Sequence, residues 1–204
     1  MSRQYCAACG FPEKVCLCHS ISKIYHCPKI SILQHPKETG HSKNTAKLIG
    51  LVIPNATIYV GHLPADFDNA QKHTNALNTT LIYPSALSTP IESASTILKH
   101  VEGSKDKALK ALTLAHEHLI LLDGSWRQAY ALWQSNPWLH GLQAHHFDTP
   151  PNRQYDIRRS KKNHQLSTLE ALAYSLDVLY KIDPRPLQNA LAGLKSHWLT
   201  YSKP

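Results

Sequence analysis

The chain has 204 residues, 42% of them hydrophobic, and carries 22 Lys and Arg against 14 Asp and Glu. That length and apolar content suit one α/β domain with a real core and exclude wholesale disorder. The formal net charge of +8 points to a polyanionic partner, most simply nucleic acid. No run of about 18 apolar residues marks a transmembrane helix, so no membrane partner is expected. The opening MSRQYCAACG lacks the apolar stretch of a secretory signal, so the expected location is cytoplasmic.

Charge concentrates at the two ends of the chain. Residues 1–50 and 151–204 each carry +5, while the middle is close to neutral. One stretch is dense: Arg153, Arg158, Arg159, Lys161 and Lys162, with Tyr155 among them. Basic side chains interleaved with an aromatic suit phosphate contacts and base stacking, although a solvated loop would explain them too.

Four of the five cysteines, Cys6, Cys9, Cys16 and Cys18, fall within thirteen residues as C-x2-C-x6-C-x-C. Two closely spaced pairs joined by a short loop supply the four soft ligands of a tetrahedral structural zinc site. Gly10 and Pro12 provide the turn. A reducing cytosol disfavours disulfides, so metal is the better reading. Four thiolates leave no open position, so such a zinc is structural rather than catalytic. Cys27, in His26-Cys27-Pro28, reads as a small buried residue. His116-Glu117-His118 lacks the H-E-x-x-H spacing, and His145-His146 reads as part of a strand.

In chain order, Lys29–Leu33 reads as a short buried strand ending at Gln34-His35-Pro36. A helix follows, with Ser42 or Asn44 near its cap and Ala46, Leu48, Ile49 and Leu51 apolar, until Pro54 stops it. Ala56–Val60 and Thr80–Tyr83 read as strands with a polar helical segment between them. Residues 84–111 are ambiguous, with a turn at Glu102-Gly103-Ser104. His118–Leu122 is the strongest central-strand signal and runs directly into Asp123-Gly124-Ser125-Trp126. A helix is expected to start near Ser125 and end at Pro137. Ala144–Phe147 is another strand candidate. Ser167 and Glu170 form a capping box for a helix through Leu172, Leu176 and Leu179. Asp183-Pro184 breaks it, and a last helix covers about 186–199. Strands alternating with helices predict a mostly parallel sheet with helical cover. The expected division is a zinc-binding cysteine segment over 1–27 and an α/β domain over 28–204.

Asp123 sits where open α/β sheets place their ligands, just past the carboxyl end of a buried strand. A carboxylate at an apolar strand end is costly to bury unless it is paired, which points to a functional role, although capping the next helix is the plain alternative.

The ordered set of motifs runs from the cysteines to His35-Pro36-Lys37-Glu38 with Asn44-Thr45, then Leu121-Leu122-Asp123-Gly124-Ser125-Trp126. It closes with Tyr155-Asp156-Ile157-Arg158 and Leu166-Ser167-Thr168-Leu169-Glu170-Ala171. In this order, over nearly the whole chain, it resembles the DTW-domain family of tRNA-uridine aminocarboxypropyltransferases. The family pattern D-G-T-W has Ser125 in place of Thr here, which keeps the hydroxyl and loses a methyl.

The resemblance implies a SPOUT-like fold with a C-terminal knotted cofactor site. It also implies transfer of the 3-amino-3-carboxypropyl group of S-adenosylmethionine to N3 of a tRNA uridine. Asp123, Ser125 and Trp126 would be the catalytic residues. His35, Pro36, Thr45, Leu121, Leu122, Gly124, Thr168 and Glu170 would bind the cofactor. Arg153, Tyr155, Arg158, Arg159, Lys161 and Lys162 would contact tRNA. A SPOUT-like RNA methyltransferase and a non-catalytic zinc-containing RNA-binding protein are the competing readings. A Ser125 hydrolase is disfavoured because G-x-S-x-G is absent. Nothing in the sequence marks an obligate protein partner.

Overall fold

A computed structural model describes residues 4–40, 44–94, 113, 116–151 and 166–201, with side chains to residue 198. Six parallel strands form one sheet in the order β2-β1-β5-β3-β6-β4. They are β1 (Lys29–Gln34), β2 (Ala56–Val60), β3 (Thr79–Ile82), β4 (Thr89–Pro90), β5 (His118–Asp123) and β6 (Gln143–His146). The expected parallel sheet is therefore present. The strand ends differ from the sequence reading by a residue or so, and β4 was not anticipated.

The central strands read as continuous apolar runs because both faces are covered, as parallel sheets require. Alternation sends Ile30, Ile32, Leu119 and Leu121 into one core and Leu33 and Ile120 into the other. The first core is closed by α1 (Ala46–Val52), α4 (Thr168–Tyr180) and α5 (Arg185–Tyr201). The second lies under α2 (Asp68–Thr74) and α3 (Trp126–Ser135). β1 and β5 lie side by side in register, Ile32 beside Leu121 and Gln34 beside Asp123.

Several local readings hold. The Asn44 side chain accepts from the Ala46 amide at 2.8 Å at the start of α1, while Ser42 lies outside the described residues. Ser167 and Glu170 make the capping box of α4. Cys27, expected to be buried, is only half-buried, and its thiol meets Asn55 Oδ1 at 3.3 Å; burial pushes that thiol's pKa up. The turn expected at Glu102-Gly103-Ser104 lies outside the described residues.

Three histidines, His116 and His118 at the amino end of β5 and His145 on β6, are buried, with no ion pair among the described residues. His118 bridges Thr79 Oγ1 at 3.0 Å and Ser31 Oγ at 2.8 Å. His116 meets Thr80 Oγ1 at 2.7 Å, its ring 5.4 Å from that of His145. Burial holds both His116 and His118 down at about 4. Their observed contacts are with hydroxyls of β1 and β3 and, for His116, with the His145 ring.

Candidate functional site

Because every strand is parallel, all carboxyl ends meet at one edge of the sheet, where crevices for ligands form. Asp123 ends β5 there with only 6% of its surface exposed. The Gln34 amide at the end of β1 donates to Asp123 Oδ2 at 2.8 Å. The Thr168 hydroxyl, from the first turn of α4, donates to Oδ1 at 2.5 Å. The carboxylate is thus fixed from both sides by elements 89 and 45 residues away in sequence. Its costly burial is met by hydrogen bonds, as such a position demands. Asp123 is not the helix cap, because that position belongs to Ser125.

Ser125 Oγ accepts from the Gln128 amide at 3.4 Å, and Gln128 Oε1 accepts from the Ser125 amide at 2.5 Å. A side chain at Gly124 would come within 2.8 Å of Gln128 Cβ, so space rather than dihedral freedom requires glycine there. Trp126, at the start of α3, is 51% exposed and so is free to meet a ligand. Thr45 and Glu38 are buried beside the loop that follows β1. His35 and Pro36 form the rim of that loop. Leu121 lies in the core beneath the crevice, and Leu122 is partly buried on the other face. Glu170 accepts from both the amide and the hydroxyl of Ser167, so its observed work is to start α4.

Asp123, Thr168 and the His35 backbone thus come together. Gln34, which holds the Asp123 carboxylate, was not singled out by the sequence. Its signal was available: like Asp123, it is a polar residue closing an apolar strand. His62 was also missed. Its ring lies 5.6 Å from that of His35, edge to face, with Nε2 3.3 Å from Ser135 Oγ on α3. Arg153, Tyr155, Arg158, Arg159, Lys161 and Lys162 lie outside the described residues. The turn leading toward them is anchored, since Glu92 Oε1 accepts from the Thr149 amide at 3.1 Å and the Tyr174 hydroxyl at 2.8 Å.

The second constellation is the cysteine cluster. The four sulfurs of Cys6, Cys9, Cys16 and Cys18 all lie within 4.8 Å of one another. The Cys6–Cys18 and Cys9–Cys16 pairs are 3.6 and 3.8 Å apart. A tetrahedron with metal–sulfur bonds of about 2.3 Å has edges of about 3.8 Å, so the donor set fits a zinc-sized ion. Gly10, at φ +64°, turns the chain after the first pair, and its amide donates to the Cys6 carbonyl at 2.8 Å. Amides of Cys9 and Ala8 pull the Cys6 thiol down to about 6, whereas hydrogen bonds with Cys16 and Cys6 push Cys18 up to about 12. Four thiols packed this closely cannot all ionise without a cation among them. The cluster is joined to the main body: Lys47 Nζ donates to the Gly10 carbonyl at 2.7 Å, and Leu17 is fully buried in the larger core.

Comparison with known proteins gives the relationship. A DTW domain matches residues 3–199. The chain belongs to the DTW-domain family. It is 33% identical over 187 residues to tRNA-uridine aminocarboxypropyltransferase 2 of Drosophila melanogaster, covering 87% of this chain and 67% of that protein. The Mus musculus protein of the same name is 28% identical over 185 residues, which are 88% of this chain and 57% of that one. An Arabidopsis thaliana tRNA-uridine aminocarboxypropyltransferase A is 30% identical over 141 residues, 62% of this chain and 49% of that one. The chain thus matches between about half and two thirds of the length of these DTW relatives. No solved structure matches it. Among the described residues, no helix is long and apolar enough to cross a membrane.

Proposed function

We propose that this DTW protein transfers the 3-amino-3-carboxypropyl group of S-adenosylmethionine to N3 of a tRNA uridine. The observation that carries the reading is the Asp123 carboxylate, buried at the strand ends of a chain whose relatives are named tRNA-uridine aminocarboxypropyltransferases. Bound S-adenosylmethionine supplies a sulfonium whose γ-carbon is electrophilic. Asp123 accepts the N3 proton, held in place for it by Gln34 and Thr168. Ser125 and Trp126 bound the reacting groups, the exposed indole offering a face to a cation or a base. His35, Pro36, Thr45, Leu121, Leu122, Gly124, Thr168 and Glu170 surround the donor. The C-terminal basic stretch, Arg153 to Lys162, holds RNA phosphates and fixes orientation rather than sequence.

In this reading the parallel sheet is SPOUT-like with a knotted donor site, the cysteine segment over 1–27 carries structural zinc, residues 28–204 form the catalytic domain, and the protein acts in the cytoplasm. The test is nucleoside mass spectrometry of unmodified tRNA incubated with purified protein and S-adenosylmethionine. A uridine heavier by one aminocarboxypropyl group in place of hydrogen supports the proposal. A gain of one methyl group instead would make the protein a methyltransferase. No gain, together with unchanged tRNA in cells carrying Asp123→Ala, would leave a zinc-containing RNA-binding protein.

A further inference from the structure

His35 caps the short 3₁₀ turn Pro36–Glu38, and its Nδ1 accepts a hydrogen bond from the Lys37 amide at 3.2 Å. A neutral imidazole that accepts at Nδ1 carries its proton on Nε2. The tautomer is therefore fixed by the backbone. Nε2 has no partner among the described residues and is not buried, so this N–H is available to a ligand.

The ring's place in the fold says which ligand. The His35 amide donates to the Asp123 carbonyl at 3.0 Å, one rung beyond the Gln34–Asp123 pair. Asp123 meets Thr168 on the α4 side of the sheet. His35 packs against His62, which reaches Ser135 of α3 on the opposite side. The two side chains therefore flank the ends of β1 and β5 from both faces. His62 is itself held: its amide and that of Leu63 donate to the Asp66 carboxylate at 2.8 and 2.9 Å, and its carbonyl accepts from Asn136 Nδ2 at 3.0 Å.

Resting on the transfer reaction above, we propose that His35 is a catalytic hydrogen-bond donor, its Nε2–H meeting one of the two carbonyl oxygens that flank N3 of the acceptor uracil. When Asp123 takes the N3 proton, the electron pair left behind spreads onto those oxygens. N3 then bonds to the γ-carbon, the carbon–sulfur bond breaks, and its electron pair returns to sulfur, giving neutral 5′-methylthioadenosine. His35 transfers no proton; it stabilises the charge on the oxygen while N3 attacks. Burial first, then the neighbouring His62 ring and the Lys37 ammonium, lower its basicity, with Glu38 opposing. That keeps the ring neutral at pH 7 with its donor in place.

Two measurements test this. Long-range ¹H–¹⁵N correlation on histidine-labelled protein, with His35 assigned from its loss in His35→Gln, reads the tautomer without any turnover. The expected result is neutral Nε2–H at pH 7; an Nδ1–H tautomer or an imidazolium there overturns the proposal. Kinetics read the contact. His35→Leu is expected to lower kcat about 100-fold, a larger change than the one in KM for S-adenosylmethionine, which the ring only borders. His35→Gln, which returns an N–H near the same position, is expected to restore about 10-fold of that. Equal rates for the Gln and Leu variants, or a loss borne by KM for S-adenosylmethionine, overturn it. Absence of transfer by the parent protein would instead defeat the reaction assigned above, while the tautomer measurement still reports on His35.

Discussion

Acid should destabilise this fold through two particular side chains. His116 and His118 are 2% and 0% exposed and are held at about 4, against an ordinary value of 6.5. The causes are burial first, then His145 beside His116, and His73 and Lys29 beside His118. Both groups are bases with depressed folded-state values, so the unfolded chain binds protons that the native chain refuses. Their contribution is whole above about pH 6.5 and is lost as pH falls toward 4. Between pH 7.5 and pH 5 the linkage relation gives a loss of about 2 kcal/mol for each, or about 4 together. Against a total of roughly 5–15 kcal/mol, that is a large fraction. Urea unfolding at the two pH values measures it; with a slope of about 2 kcal/mol/M the midpoint should fall by about 2 M. Replacing both by His116→Asn and His118→Asn should remove most of that pH dependence, and each single change about half. Thiol protonation at the cysteine cluster acts equally in all four proteins and cancels from the comparison. A double variant that loses as much stability between pH 7.5 and 5 as its parent would refute the reasoning.

Three further outcomes are expected. Thr168→Val removes a donor that fixes Asp123 while keeping shape, and should slow transfer about 10- to 100-fold with little change in melting temperature, since a hydrogen bond to a charged group is worth about 1.5–3 kcal/mol; Gln34→Leu should behave alike. Gly124→Ala forces a methyl against Gln128 and disrupts the capping box of α3, costing about 1 kcal/mol, seen as a melting temperature lower by about 2–4 °C. Protein purified without chelator should hold one zinc per chain by metal analysis, and stripping the metal should lower the unfolding temperature because binding and folding of the cysteine segment are coupled; less than about half an equivalent would contradict the zinc assignment.

Much of the sheet could be read from the sequence because the central strands are buried on both faces. A run such as His118–Leu122 has one interpretation once its length and the following Asp-Gly are seen together. The cysteine spacing announced its cluster for a similar reason, since ligand geometry restricts which spacings work. The capping box at Ser167 was visible as a local pattern, whereas the one between Ser125 and Gln128 emerged only from the structure. What stayed hidden was pairing across long sequence separations. Gln34 and Thr168 converge on one carboxylate only because β1 is hydrogen-bonded to β5 and α4 begins over their ends, and no local pattern states that. Ser125 shows the converse: a hydroxyl beside the key aspartate looked chemical, yet its observed partner is the Gln128 amide of its own helix. β4 was too short to carry a period. His62 gave no signal because its position depends on the Asp66 turn that locks residues 62 and 63.

The seating of the cysteine segment has a consequence for how the protein is made. Ser20 and Leu17 press against Gly193 of α5 so closely that a methyl there would lie 2.5 Å from Ser20 Oγ. Leu17 and its docking surface are thus separated by nearly the whole chain. At translation rates of about 5–20 residues per second, they are synthesised roughly 10–35 s apart. During that interval four thiols and a large apolar side chain wait without the helix that will cover them. On the zinc assignment proposed above, an early metal ion would keep the segment compact and its sulfurs unoxidised until α5 emerges, so zinc supply during synthesis should govern the yield of folded protein.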